Sequence, residues 1–145
     1  MASSLELFDS FRQYIADGTI DLDTDTIKVA LVTSSYTKDL TDTIWGDIST
    51  NEVATGDGYT TGGETLAGSA VTHTGATAKW DATDVTWTAL TKTFRFGVIY
   101  VDATKNAIVK PLIAIILFDT APANIVVAGI DFLIQWNSSG ILTLS

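Results

Sequence analysis

The sequence predicts an all-β chain, an antiparallel β-sandwich or jelly-roll-like barrel with one N-terminal α-helix, and three observations predict it. Apolar residues fall with a period of two through the last third of the chain, the signature of strands with one buried face. Threonine is abundant while glutamate and lysine are scarce, which favours strands over helices. About nine strand-like segments follow one another at short antiparallel spacing. The 145 residues suit one domain, 1–145, with no internal repeat or linker, large enough to bury a core without staples.

Composition narrows the function. Seventeen acidic against eight basic residues leave a net charge of -9, spread along the chain. Phosphate backbones repel such a surface, so no nucleic-acid partner is expected. Cysteine is absent, which excludes disulfides and thiolate metal sites. The opening Met-Ala-Ser-Ser-Leu-Glu has no basic or long apolar run, so no signal peptide is expected. The most apolar stretch, 107–118, is too short to span a bilayer and carries Lys110 and Pro111, so no membrane association is expected either.

Taken in order, the chain opens with a helix over about 3–18. Ser3 and Glu6 have the spacing of a capping box. Leu7, Phe8, Phe11, Tyr14 and Ile15 share a stripe, and Gly18 can close the end in a left-handed conformation. Asp21, Asp23 and Asp25 alternate next. A calcium loop would need a glycine where Thr26 stands and a bidentate acid where Val32 stands, so the cluster reads as a solvated linker and no metal is expected. A first strand follows over 27–33, with Ile27, Val29 and Leu31 on one face. Residues 34–63 are loop-rich and end in Gly-Asp-Gly-Tyr-Thr-Thr-Gly-Gly, 56–63. A phosphate cradle needs a following helix and, in its Walker form, a lysine; this chain continues into Glu64 and Thr65. The glycines therefore read as turn and bulge residues, and no cofactor is expected.

Short strands are expected over 69–74, 77–81 and 84–88, the first two joined at Gly75, with Trp80 and Trp87 as core anchors. His73 is the single histidine, and no nucleophile elbow accompanies it. Asp81 and Asp84 could neighbour each other as paired acids, but acids at turns are common. No catalytic set emerges, and the expectation is a non-enzymatic protein. Residues 93–101 place Phe94, Phe96, Val98 and Tyr100 on one face. Residues 124–136 place Val126, Ala128, Ile130, Phe132, Ile134 and Trp136 on one buried face, and 141–145 ends the chain as a strand. Between them, 112–118 is apolar on both faces. Leu112, Ala114, Ile116 and Phe118 point one way, and Ile113, Ile115 and Leu117 the other. Pro111 predicts an edge or a bulge. The second set needs cover, from the helix or from a neighbouring subunit, so Ile113, Ile115 and Leu117 are the candidate interface.

Four segments together resemble a group of small tailed-bacteriophage virion structural proteins, of the capsid decoration (cement) or tail-fibre-associated type. They are Asp-Thr-Ile-Lys-Val-Ala-Leu at 25–31, Gly-Tyr-Thr-Thr-Gly-Gly at 58–63, the strand at 94–100, and Gly-Ile-Leu-Thr-Leu-Ser at 140–145. The resemblance implies a non-enzymatic subunit made in the host cytoplasm and carried on the capsid exterior. It implies the major capsid protein as partner and a homo-oligomer, a trimer, that stabilises the shell. A tail or tail-fibre-associated subunit is the alternative within the virion. A glycan-binding module is the alternative outside that class, with Trp45, Trp80, Trp87 or Tyr59 as stacking faces whose exposure decides it.

Overall fold

The computed structural model describes residues 2–145. Twelve strands and one α-helix follow in order: β1 (Ser4–Leu7), α1 (Asp9–Ala16), β2 (Ile27–Val32), β3 (Glu64–Thr65), β4 (Ala70–Thr74), β5 (Thr77–Asp81), β6 (Val85–Phe94), β7 (Phe96–Val101), β8 (Thr104–Lys105), β9 (Ile108–Val109), β10 (Leu112–Leu117), β11 (Ile125–Ile134) and β12 (Leu142–Leu144). The expected all-β class with one helix near the N-terminus is what the chain adopts, as a sandwich-like stack of antiparallel sheets.

The centre is a five-stranded sheet, β1-β10-β7-β2-β3. β7 and β10 are buried almost throughout, as expected for strands covered on both faces. One face takes Ile27, Val29 and Leu31 of β2 and Ile99 and Val101 of β7. The helix residues Phe11 and Tyr14, the ribbon β6-β11 and the three-stranded sheet β12-β5-β4 cover it. The other face takes Ala30, Val32, Phe96, Val98 and Tyr100, covered by Phe8 and by Tyr36, Trp45 and Ile48 from the long loop. The loop's anchor is Trp45, stacked on Tyr100 with ring centroids 4.7 Å apart. Among the described residues no helix is long and apolar enough to cross a membrane.

Several expectations need correction. The helix does not begin at Ser3. Residues Ser4–Leu7 are a strand paired with β10, Ser4 against Leu117 and Leu7 against Ala114, and the helix starts at Asp9 after Phe8. No capping box forms there: Glu6 pairs with Lys38 instead. The reason is tertiary, since β10 would otherwise leave an apolar edge bare, and four ladder positions outweigh one turn of a marginal helix. Leu5-Glu6-Leu7 carries period two as legibly as period 3.6, and both leucines pack on the core. Gly18 does close the helix with φ of 76°.

The short strand expected at 84–88 is half of the ten-residue β6, which runs on to Phe94. The single face expected for Phe94, Phe96, Val98 and Tyr100 breaks at Arg95, where β6 ends and β7 begins: Phe94 enters one core, and the other three enter the opposite one. The edge expected from Pro111 is not at β10, which lies between β1 and β7. Its register slips between Leu112 and Ala114, so the bulge alternative holds. That slip makes Leu112 and Ile113 exchange sides relative to strict alternation.

The largest correction concerns β11. Its register slips on both sides of Ile130, around Gly129 at φ of 70°. Val127, Phe132, Ile134 and Trp136 turn inward, whereas Val126, Ala128 and Ile130, expected in the core, are exposed. A glycine inside an apolar strand marks such a bulge, and the three consecutive β-branched residues 125–127 already obscured which face was inward.

Candidate functional site

Ile113 and Ile115 are 0% and 1% exposed, and Leu117 is half-buried. They do not share a face: Ile113 fills the core under the helix and ribbon, while Ile115 and Leu117 fill the core under the loop. The chain thus covers the candidate interface itself, with Phe8 and the loop as well as the helix, and that face requires no neighbouring subunit.

The other candidates have structural duties. Trp45, Trp80, Trp87 and Tyr59 are all buried and offer no stacking face to a glycan. His73 lies exposed on β4 opposite Ala78. Asp81 pairs with Lys79 and accepts from the Ala82 N–H, and Asp84 accepts from the Trp136 N–H at 2.9 Å; each holds a turn or a strand end. Asp21, Asp23 and Asp25 fold back on local backbone. Asp21 accepts from Asp23 N–H, Asp25 accepts from Asp21 N–H, and Asp23 reaches Val71 N–H on β4. The Asp23 N–H bond heads the causes holding Asp21 below the usual carboxylate range. Asp25 also takes Lys105 at 2.6 Å. Among the described residues no three His, Cys, Asp or Glu side chains gather to hold a metal ion.

The glycine run finishes the central sheet. β3 covers only Lys28 and Val29 of β2. Beyond it, the Leu31 carbonyl accepts from Val53 N–H, and the Leu31 N–H donates to the Tyr59 hydroxyl at 3.0 Å. That hydroxyl donates in turn to Glu52 Oε1 at 2.7 Å, which also takes Gly62 N–H. Tyr100 closes the clasp by donating to the Gly62 carbonyl. Burial, then the neighbouring Glu52 carboxylate, pushes the Tyr59 phenol far above its usual range, so it stays a neutral donor. Gly63 shows why glycine is required: a Cβ there would sit 2.0 Å from the Val29 carbonyl oxygen.

What remains open is the outer face of the β6-β11 ribbon. Directly opposed residues share a face. Thr93 faces Val126, Thr91 faces Ala128 and Thr86 faces Leu133, all six exposed. Val126 is 72% exposed and Leu133 51% on this face, and Ile130, 64% exposed although it lies opposite the buried Leu90, is turned out by the bulge; the three are half of the large exposed apolar side chains among the described residues. The ribbon's inner face is pinned by Phe94, Phe118 and Phe132, mutually edge-on at 4.9 to 5.4 Å, so the outer face is presented on a fixed base. A Thr and aliphatic face with one charged residue, Asp131, occupied by Ala89 N–H, has no reacting group. Sequence reasoning missed it by assigning Val126 and Ile130 to the core; Gly129 was the available signal.

Compared with protein-family models, with curated proteins and with solved structures, the chain matches none.

Proposed function

We propose that the chain is a non-enzymatic virion structural protein, a capsid decoration (cement) subunit that docks on the outer surface of a bacteriophage head and stabilises it. The observation that carries the reading is the exposed apolar and threonine face of the β6-β11 ribbon, held rigidly on an otherwise acidic chain. An apolar face of this kind marks a contact with another protein. The acidic remainder suits the outside of a shell better than its DNA-lined interior. In this reading the partner is the major capsid protein, and the homo-oligomer is the trimer implied by the resemblance to decoration proteins. Contact falls on Val126, Ile130 and Leu133 rather than on Ile113 and Ile115.

The test uses purified heads lacking the chain. Added wild-type protein should bind them and raise the temperature at which they rupture, while Val126→Glu and Ile130→Glu, folded by circular dichroism, should not bind. Wild type that binds tails and leaves heads bare would move the chain to a tail or fibre. Wild type that binds neither would overturn the virion reading.

A further inference from the structure

We propose that residues 3–5 and 132–137 wall a slot that takes an extended, uncharged polypeptide segment of a partner chain as an added β-strand. The groove has a volume of about 530 Å³. Its lining shows how the strands around it are turned. β10 contributes alternate residues, Ile116 and Phe118, so it presents a face, the floor. β1 with the residue before it contributes the consecutive residues 3–5, β11 with its continuation contributes 132–137, and Gly140 and Ile141 complete the lining. Successive side chains of a strand point opposite ways, so consecutive lining residues mean that the strand's edge looks into the groove.

Both edges are open. β1 is paired only with β10, and β11 only with β6. Among the described residues, the backbone of 3–5 and 132–135 makes no hydrogen bond outside those two ladders. Every second residue of such an edge points its N–H and C=O away from its neighbour, toward the slot. Trp136 closes one end: its N–H is held by Asp84 and its indole N–H by the Thr83 carbonyl. A strand residue inside a sandwich needs roughly 160 Å³, from a 3.4 Å rise, a 4.8 Å strand spacing and a 10 Å layer separation, so the groove holds about three residues of a longer segment.

Charge selects the occupant. No residue lining the groove is charged, although 17% of the chain is, and a second groove, beside Trp80, has Asp21, Asp23 and Lys79 in its lining. A charged segment would lose its hydration here without a counter-charge, whereas a neutral one matches the wall. Two strand edges without a second ladder partner, with Ile116 and Phe118 in the same groove, are what an extended peptide satisfies, its main chain bonding an edge and alternate side chains meeting Ile116 and Phe118. The slot shares Leu133 with the exposed face of β11, but the rest of its wall lies beyond Val126 and Ile130.

The experiment is hydrogen exchange of the full chain with a pool of acetylated, amidated octapeptides at about 1 mM, a concentration that detects even weak binding. In the pool Val, Ile, Leu or Phe alternates with Ser, Thr or Asn. We expect at least tenfold slower exchange at amides within 3–5 and 132–135. That slowing should be lost with analogues N-methylated at alternate residues and with Gln135→Glu, a surface change that leaves the fold intact, and kept with Val126→Glu. The proposal is overturned if no pool slows these amides, or if N-methylated analogues act equally well. It is also overturned if the slowing needs only higher protein concentration, which would make the occupant a second copy, or if maltohexaose produces it and peptides do not.

Discussion

Replacing Tyr59 with phenylalanine isolates one hydroxyl on which the central sheet depends. The ring stays, with its stacking on Trp87 at 6.4 Å, so the core volume is unchanged. Two bonds disappear. Leu31 N–H, at a residue with no exposed surface, loses its acceptor at 3.0 Å, and Glu52 loses a donor at 2.7 Å while keeping Gly62 N–H. An orphaned buried N–H costs about 1–3 kcal/mol, and a bond to a charged group contributes about 1.5–3 kcal/mol. Because both bonds share one atom they are not additive, and about 3 kcal/mol is expected. With an unfolding entropy near 2 cal/mol/K per residue, a chain of this length loses about 10 °C in Tm. Differential scanning calorimetry measures the fall, and hydrogen exchange at Leu31 should accelerate at least tenfold. Tyr36→Phe is the control: its hydroxyl bonds Asp42 and Asp39 at the rim of the loop, where water can substitute, and about 1 kcal/mol or 3 °C is expected. A Tyr59→Phe shift no larger than that of Tyr36→Phe would refute the argument that a side chain completes the β2 ladder.

Three further outcomes follow from packing and charge. Gly97→Ala places a Cβ 2.9 Å from Phe118 Cζ, displacing a ring wedged between Phe94 and Phe132; urea denaturation should show a loss of about 1–3 kcal/mol. Ile115→Ala, at a fully buried site, should cost about 2–5 kcal/mol, and Ile115→Asp should leave no folded protein by circular dichroism; a folded Asp variant that has merely lost a partner would restore the interface reading. Asp102, bonded by Lys110 and then Lys28, has its pKa held below the ordinary value. A depressed carboxyl stabilises the fold fully above its unfolded pKa, about 3.9, and loses that contribution as pH falls through the lower folded value. Asp102→Asn should therefore cost about 1–2 kcal/mol at neutral pH, with the gap to wild type closing below about pH 4 in pH-dependent urea melts; a constant gap would mean that the charge is not what matters.

Much of the fold was legible in the sequence because it is local. Alternation placed β2 with Ile27, Val29 and Leu31 inward, Gly75 turned β4 into β5, and Gly18 ended the helix. These depend on one residue's φ or on the two-residue pleat, and the chain carries both in plain order. What only the tertiary structure decided are the places where a strand changes phase or finds a distant partner. A one-residue bulge shifts the phase of a strand, so the slip beside Ile113 parted it from Ile115 and Leu117, and the slips around Ile130 left Val126 and Ile130 exposed; Ile115 is buried because Phe8 and the long loop cover that face. Residues 4–7 satisfy a helix and a strand equally well as a sequence, and the bare edge of β10 chose between them. The candidate binding face and the slot both lie along β11, where Gly129 signals a bulge but not the phase on either side of it, because phase is set by the register across the sheet and register is a property of two segments at once.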